Sequence, residues 1–309
     1  MSSLLELREL IRNVYSKTEL YLTPFLKFLL SLFCLLTINA QIGYMDRLNN
    51  IMVVLVISLL CSFLPTNCIV IFSALFIIAH MYAVSLECAV FGLGLFLVMF
   101  LLYFRFASKD AVILLLVPFF FAMKIPYVLA IAAGLLFSPL SFISVACGTV
   151  VYYLLGFISS NYSAIQAFED ESAVARFRYI IDNIIGNKEM LVYIAALSVM
   201  VIVVYLLRRM SVEYAWSIAI VAGAFVGAVV ILMGQMMYET EISIVGMILG
   251  LLVAVLVGIV IMFFKFNVDY SRTEFVQFED DEYYYYVKAV PKNSVSKPER
   301  KVKKITSVV

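Results

Sequence analysis

A chain of 309 residues that is 64% hydrophobic, 14% charged and carries a net charge of +1 is neither a soluble domain nor a basic nucleic-acid binder. The five cysteines, Cys34, Cys61, Cys68, Cys88 and Cys147, lie in or beside apolar runs without CxxC spacing, so no metal site, cofactor or disulfide framework is expected. The expected fold class is all-α: a polytopic membrane helix bundle of about eight transmembrane helices plus one re-entrant helical hairpin.

Charged residues and Pro24 precede the first apolar run and no small-x-small cleavage pattern follows, so the first span is expected to be retained. Residues 1–20 place Leu4, Leu7, Ile11 and Val14 at helical spacing, with Glu6, Arg8, Glu9, Arg12 and Asn13 on the other face. This pattern fits an amphipathic helix on the membrane surface and equally one packed on the protein's own cytoplasmic side.

Residues 22–159 hold apolar runs at Phe25–Ala40, Ile51–Leu64, Cys68–Ser85, Ala89–Phe104 and Leu140–Ser159, read as transmembrane helices one to five. Between the fourth and fifth, Ala111–Met123 and Tyr127–Phe137 are each too short to cross a hydrocarbon core of about 30 Å. Lys124-Ile125-Pro126 separates them, which predicts a re-entrant hairpin over 111–137 whose arms lie antiparallel.

Residues 160–189 form a polar connection in which Val174, Phe177, Ile180, Ile181 and Ile184 recur at helical spacing after Glu169, Asp170 and Glu171. An extracellular interfacial helix is expected there. Runs at Met190–Leu207, Ala215–Met237 and Ile242–Phe264 complete transmembrane helices six to eight within 190–265.

Basic residues near segment ends favour the cytoplasmic side. Arg8, Arg12 and Lys17 then place the N-terminus inside. Arg105 with Lys109, Arg208 with Arg209, and Lys265 also fall inside only if 111–137 returns to its own side.

The tail 266–309 passes from an acidic, tyrosine-rich stretch, Asp269 to Tyr286, to a basic block, Lys288 to Lys304. It reads either as a solvated segment or as one that docks a cytoplasmic protein partner, its tyrosine run adding as a strand, or anionic lipid.

Cavity or pathway candidates are Lys124 and Pro126 at the hairpin tip, His80 inside the third span and Gln235 in the seventh. Each has a plainer role: Lys124 can snorkel to the interface, and His80 or Gln235 can hydrogen-bond a neighbouring helix. Gly223/Gly227 and Gly246/Gly250 form two GxxxG pairs, read as helix packing between the last two spans, with a homodimer face as the other use of the motif. Paired acids, a nucleophile with a base, and nucleotide loops are lacking within the spans, so an enzyme is not expected.

Asp269-Tyr270-Ser271-Arg272-Thr273-Glu274, followed by 277–283 and 286–292, resembles the tail of uncharacterised multi-pass membrane proteins of clostridial-type Gram-positive bacteria. That resemblance runs through most of the chain and implies a bacterial plasma membrane. Ile125-Pro126, then Gly134-Leu135-Leu136-Phe137 and Gly148, is similar to the short-hairpin-then-span pattern of the DedA and SNARE-associated (VTT) membrane proteins, which implies lipid or anion transport. Lys124 replaces that family's acidic residue ahead of the proline and its arginine at the end of the following span is missing, so no site is carried over.

The expectation is therefore a multi-pass plasma-membrane protein with both termini cytoplasmic. It is of transport type, permease-like or the membrane subunit of an export complex, and the hairpin lines a cavity. The alternative is a membrane scaffold that recruits a partner through residues 266–309.

Overall fold

The structure, a computed structural model, describes residues 2–167, 173–266, 268 and 273–291. The acidic run Glu169–Glu171, the tail residues 269–272 and the basic block from Lys292 onward lie outside the described residues. The chain divides into two compact units: Met1–Leu20 with Phe264–Val309, and Tyr21–Phe263.

The fold is all-α apart from one small hairpin of strands. The helices are α1 (Ser2–Ile42), α2 (Ile51–Phe63), α3 (Thr66–Val84), α4 (Leu86–Phe106), α5 (Ala111–Ala122), α6 (Tyr127–Leu136), α7 (Ser141–Ala167), α8 (Ala173–Ile185), α9 (Lys188–Arg208), α10 (Ala215–Tyr238) and α11 (Ile244–Lys265). Among the described residues seven of these, α1, α3, α4, α7, α9, α10 and α11, are long and apolar enough to cross a membrane. The helix α2, with 13 residues, is shorter, as are α5 and α6.

Local chemistry sets several ends. The side chains of Asn50, Ser85 and Asn187 accept from backbone N–H groups in the first turns of α2, α4 and α9, at 2.9, 3.1 and 2.9 Å. In α1 the helix continues through Pro24, so the amphipathic stretch and the first span are one element rather than two. Proline removes one backbone donor there, and Ser62 of α2 donates to the Pro24 carbonyl at 2.8 Å.

Within Tyr21–Phe263 the α9/α10 pair makes the most extensive helix contact. The helix α5 lies chiefly on α7 and also on α3, whereas α6 lies chiefly on α9 and also on α7 and α10. The amphipathic α8 rests on α4 and α7, burying Ile180 and Ile184 as the spacing requires. Arg176 anchors it by an ion pair to Glu87 of α4 at 2.9 Å.

In the other unit the Arg8 guanidinium donates to the Phe264 carbonyl at 3.0 and 3.2 Å. Leu7, Ile11 and Val14 on the apolar face of α1 are exposed. The tail forms an antiparallel pair, β1 (Glu274–Glu279) and β2 (Tyr284–Ala289), in register Glu274↔Ala289 to Glu279↔Tyr284. Every residue of both strands is exposed. Asp280 closes its turn, accepting from the N–H groups of Glu282 and Tyr283 and from the Tyr285 hydroxyl.

Candidate functional site

The break between α5 and α6 falls where Lys-Ile-Pro interrupts the apolar sequence. Lys124 takes a left-handed conformation, φ 62°. Ile125 N–H donates to the Phe120 carbonyl at 2.9 Å and Lys124 N–H to that of Phe121 at 2.8 Å. These two bonds are the Schellman pattern that closes a helix, with lysine at the position usually held by glycine. Pro126, buried, then opens α6 with a fixed φ of −63°. The first arm is continuous through Pro118.

The second arm is buried on all sides: every residue from Tyr127 to Leu135 is inaccessible. A ten-residue helix enclosed in this way has no face for lipid, and its backbone ends must find partners in protein. Arg208, at the end of α9, supplies one end by donating to the carbonyls of Leu135 and Phe137. Its guanidinium also lies over the Tyr205 and Trp216 rings, 5.0 and 5.8 Å from their centroids. A cation at the C-terminal end of a helix complements the partial charge there.

Asp110, 3% exposed, sits at the opposite polarity, the N-terminal end of α5. Burial pushes its carboxyl above the usual carboxylate range, and the facing Ser141 hydroxyl offsets part of that rise. Ser141 and Ser144 on α7 are buried with it.

The two arms are fixed to different helices. A Cβ added to Gly134 of α6 would stand 2.7 Å from Val204 Cβ on α9, and one added to Gly148 of α7 would stand 2.9 Å from the Leu114 carbonyl oxygen on α5.

Above the turn Phe121 stacks on Tyr152 of α7, centroids 4.9 Å apart and planes 22° from parallel, and meets Tyr193 of α9 edge-on at 5.2 Å. Tyr127 completes this aromatic layer. Beside Tyr152 a cavity of about 500 Å³ opens between α1, α7, α8 and the α8–α9 loop, lined by Gln41, Tyr152, Tyr153, Ser160, Asn183 and Asn187 among others; no residue of α5 or α6 lines it. A second cavity, about 50 Å³ and largely apolar, with Cys34, Ile77, Met99 and Leu155 among its walls beside Thr37 and Ser73, lies between α1, α3, α4, α5 and α7.

Lys124 is exposed at the tip, and neither it nor Pro126, His80 or Gln235 lines either cavity. His80 is fully buried, accepting from Met45 N–H at Nδ1 (3.2 Å) while Nε2 lies 2.8 Å from Asn39 Oδ1. Asn39 in turn donates to the Leu48 carbonyl at 3.1 Å. With Nδ1 accepting, Nε2 carries the proton, and both ring nitrogens are spent tying α3 to the end of α1 and the α1–α2 loop. Gln235 donates to the Ile242 carbonyl at 3.1 Å, closing the α10–α11 loop.

The glycine pairs require a correction. They were expected between the last two spans, yet the nearest atoms to Gly223 belong to Val204 and Met200, and those to Gly227 belong to Met200, all on α9. Gly250 faces Tyr127 and the Lys124 carbonyl, and Gly246 meets only Ser243 of its own loop. Small residues do allow close approach, but α9 and the hairpin tip receive them; within the α10–α11 contact it is Gly258 that meets Ile220.

Sequence reading missed Arg208, taken only as a marker of sidedness, and the polar lining from Gln41, Asn183 and Asn187. Carboxamides at the ends of otherwise apolar segments were the available signal. Comparison with models of protein families, with curated proteins and with solved structures returned no match.

Proposed function

We propose that the chain is an integral membrane protein of transport type in which α5 and α6 form a re-entrant hairpin and the polar cavity above it receives the transported group. The observation that carries the reading is α6: short, buried on every side, and fastened at its C-terminal end by Arg208. In a bilayer, broken helices of this kind are tolerated where they are buried in protein, as α6 is, or line a wet cavity.

Depths agree with it. Twelve residues of α5 rise about 18 Å, and Gly250, beside the Lys124 carbonyl, lies about 9 Å along α11 from Ile244. Together these approach the ~30 Å hydrocarbon core. Lys124 then lies nearer the outer leaflet, at a depth from which its stem reaches toward the interface. A lysine held left-handed where glycine would be unstrained supports a role for its ammonium.

An eighth crossing is assigned to α2. Lys27 donates to the Leu64 carbonyl and Ser62 to that of Pro24, so α2 returns to the level at which α1 began its apolar stretch. The membrane is assigned as a bacterial plasma membrane with both termini cytoplasmic, following the tail resemblance and the basic loops. The local resemblance to the DedA/VTT proteins agrees with a transport reading.

The topology is tested by impermeant maleimide labelling in intact cells. Ser108→Cys and Ser138→Cys should be protected together while Ser160→Cys reacts. Opposite accessibility of positions 108 and 138 would mean one full crossing and would remove the hairpin. Transport is tested in proteoliposomes preloaded with labelled solutes or lipids. Release of one class above protein-free vesicles supports the assignment, and a Lys124→Ala variant moving that class at the parent rate removes Lys124 from it.

A scaffold reading rests on the two-stranded ladder of β1 and β2, every residue of which is exposed and to which another strand can add. Deleting residues 266–309 would abolish a scaffold phenotype and spare transport.

A further inference from the structure

The cavity above the hairpin has a lining whose chemistry narrows what it can hold. Among the described residues no lysine, arginine, aspartate or glutamate lines it, so an anion finds no counter-charge, and the neighbouring carboxylate, that of Glu189, lies behind the lining and is engaged by the Tyr153 hydroxyl. An apolar occupant would strip water from its carboxamides without replacing the hydrogen bonds.

Accounting for each carboxamide shows which groups are spent. Asn161 uses both ends, donating to the Phe157 carbonyl at 2.9 Å and accepting from the Tyr179 hydroxyl at 3.1 Å. Asn183 donates to the Tyr179 carbonyl at 2.9 Å, which leaves its oxygen to accept. Asn187 accepts from Met190 N–H, which leaves its NH₂ to donate. Gln41 is the decisive group: its side-chain oxygen is buried without a partner although the residue lines the cavity. Whichever way its amide is turned, Gln41 offers both a donor and an acceptor.

The remaining wall is aromatic. Tyr152 is held by its stack on Phe121 and Tyr153 packs against it edge-on, centroids 5.3 Å apart. Hydroxyls of Ser159 and Ser160 complete the lining. Alternating donors and acceptors, no net charge and fixed aromatic rings suit a ligand whose hydroxyls both give and accept hydrogen bonds and whose C–H faces lie on rings.

We propose that this cavity binds an uncharged sugar unit, either free or as the headgroup of a glycolipid. The proposal rests on reading the cavity above the hairpin as the protein's site, and it specifies the class of ligand. Its binding test does not require transport. A sugar that binds but is not moved in proteoliposomes would leave the binding proposal standing and overturn the transport reading.

The experiment uses the full chain in nanodiscs of phosphatidylethanolamine and phosphatidylglycerol, with no glycosidic detergent present. Saturation-transfer NMR with methyl β-D-glucopyranoside tests the free sugar. The shift in unfolding temperature on adding monoglucosyl diacylglycerol to the disc tests the headgroup. Choline, inorganic phosphate and N-acetylglycinamide serve as cationic, anionic and peptide-like comparisons.

Two variants report on the site. Gln41→Ala removes a group that makes no hydrogen bond among the described residues. Gly156→Leu starts a side chain on a cavity-lining residue where an added Cβ meets nothing within 4 Å, so it takes up space in the cavity. The expected result is a sugar signal in at least one arm that falls tenfold or more in both variants while their unfolding temperatures match or exceed the parent's. The arm that responds identifies the source. No response to either sugar probe, an equal response in Gly156→Leu, or a stronger response to choline, phosphate or the amide would overturn the proposal.

Discussion

Arg208 donates to the carbonyl of Phe137 at 2.7 Å, joining the last turn of α9 to the residue at which α6 ends. The contact converts a charge that marks sidedness in the sequence into the terminal cap of a buried helix. Hydrogen bonds from a charged donor contribute about 1.5–3 kcal/mol, and the carbonyls freed by its removal would be poorly solvated. Arg208→Gln is therefore expected to destabilise the protein by about 2 kcal/mol in reversible denaturation from bicelles. Arg208→Lys, which cannot fork to two carbonyls, should recover part of that loss.

Lys124 gives a prediction of opposite sign. A left-handed residue with a Cβ costs roughly 1–2 kcal/mol, which glycine avoids at the expense of more freedom in the unfolded chain. Lys124→Gly should raise stability by about 1 kcal/mol, and Lys124→Val should lower it by more. If transport uses the ammonium, the more stable glycine variant will be the less active one, a divergence that flux and unfolding measurements on the same preparation would reveal.

The glycines separate by environment rather than by motif. Gly223→Ala would drive a methyl into Val204, whose branched side chain is stiff, and should cost about 1–3 kcal/mol. Gly227→Ala meets the flexible Met200 and should cost less. Gly246→Ala has its nearest neighbour at 3.5 Å and should be neutral or stabilising by up to about 1 kcal/mol. Equal effects at 223 and 246 would contradict the packing described.

Sequence periodicity located the helices because burial in lipid and burial in protein impose the same apolar composition, and the α5–α6 break was legible because proline and charge interrupt it together. What periodicity could not reveal is which helices touch. Gly223 and Gly250 read alike in the sequence, yet one meets α9 and the other the hairpin tip. His80 was legible as a hydrogen-bonding group but not its partners, since Asn39 and Met45 come from a helix end and a loop distant in sequence. The cavity was hidden for a related reason: Gln41, Tyr152, Asn183 and Asn187 lie on separate elements, and only the bend of α7 at Asn161 and the seating of α8 bring them to one wall.

Asp110 predicts a dependence on pH. Its folded carboxyl binds a proton more readily than the unfolded one, because burial disfavours the charge. The folded state then holds more protons between the ordinary carboxylate value and the raised one. Stability contributed by this group therefore increases as pH falls through that window and is lost as pH rises above it. Asp110→Asn should flatten the profile and match the parent's low-pH stability. A profile unchanged by the substitution would assign the pH dependence elsewhere.

The attachment of α5 and α6 to different partners has a mechanical consequence. Gly148 seats α5 on α7, whereas Gly134 and Arg208 seat α6 on α9, which is itself joined along its length to α10. The link from Met123 to Pro126, with its single left-handed residue, therefore joins an arm packed on α7 to one packed chiefly on α9, two helices that also touch each other directly. A rotation at Lys124 would disturb the stack of Phe121 on Tyr152, one of the residues that line the cavity.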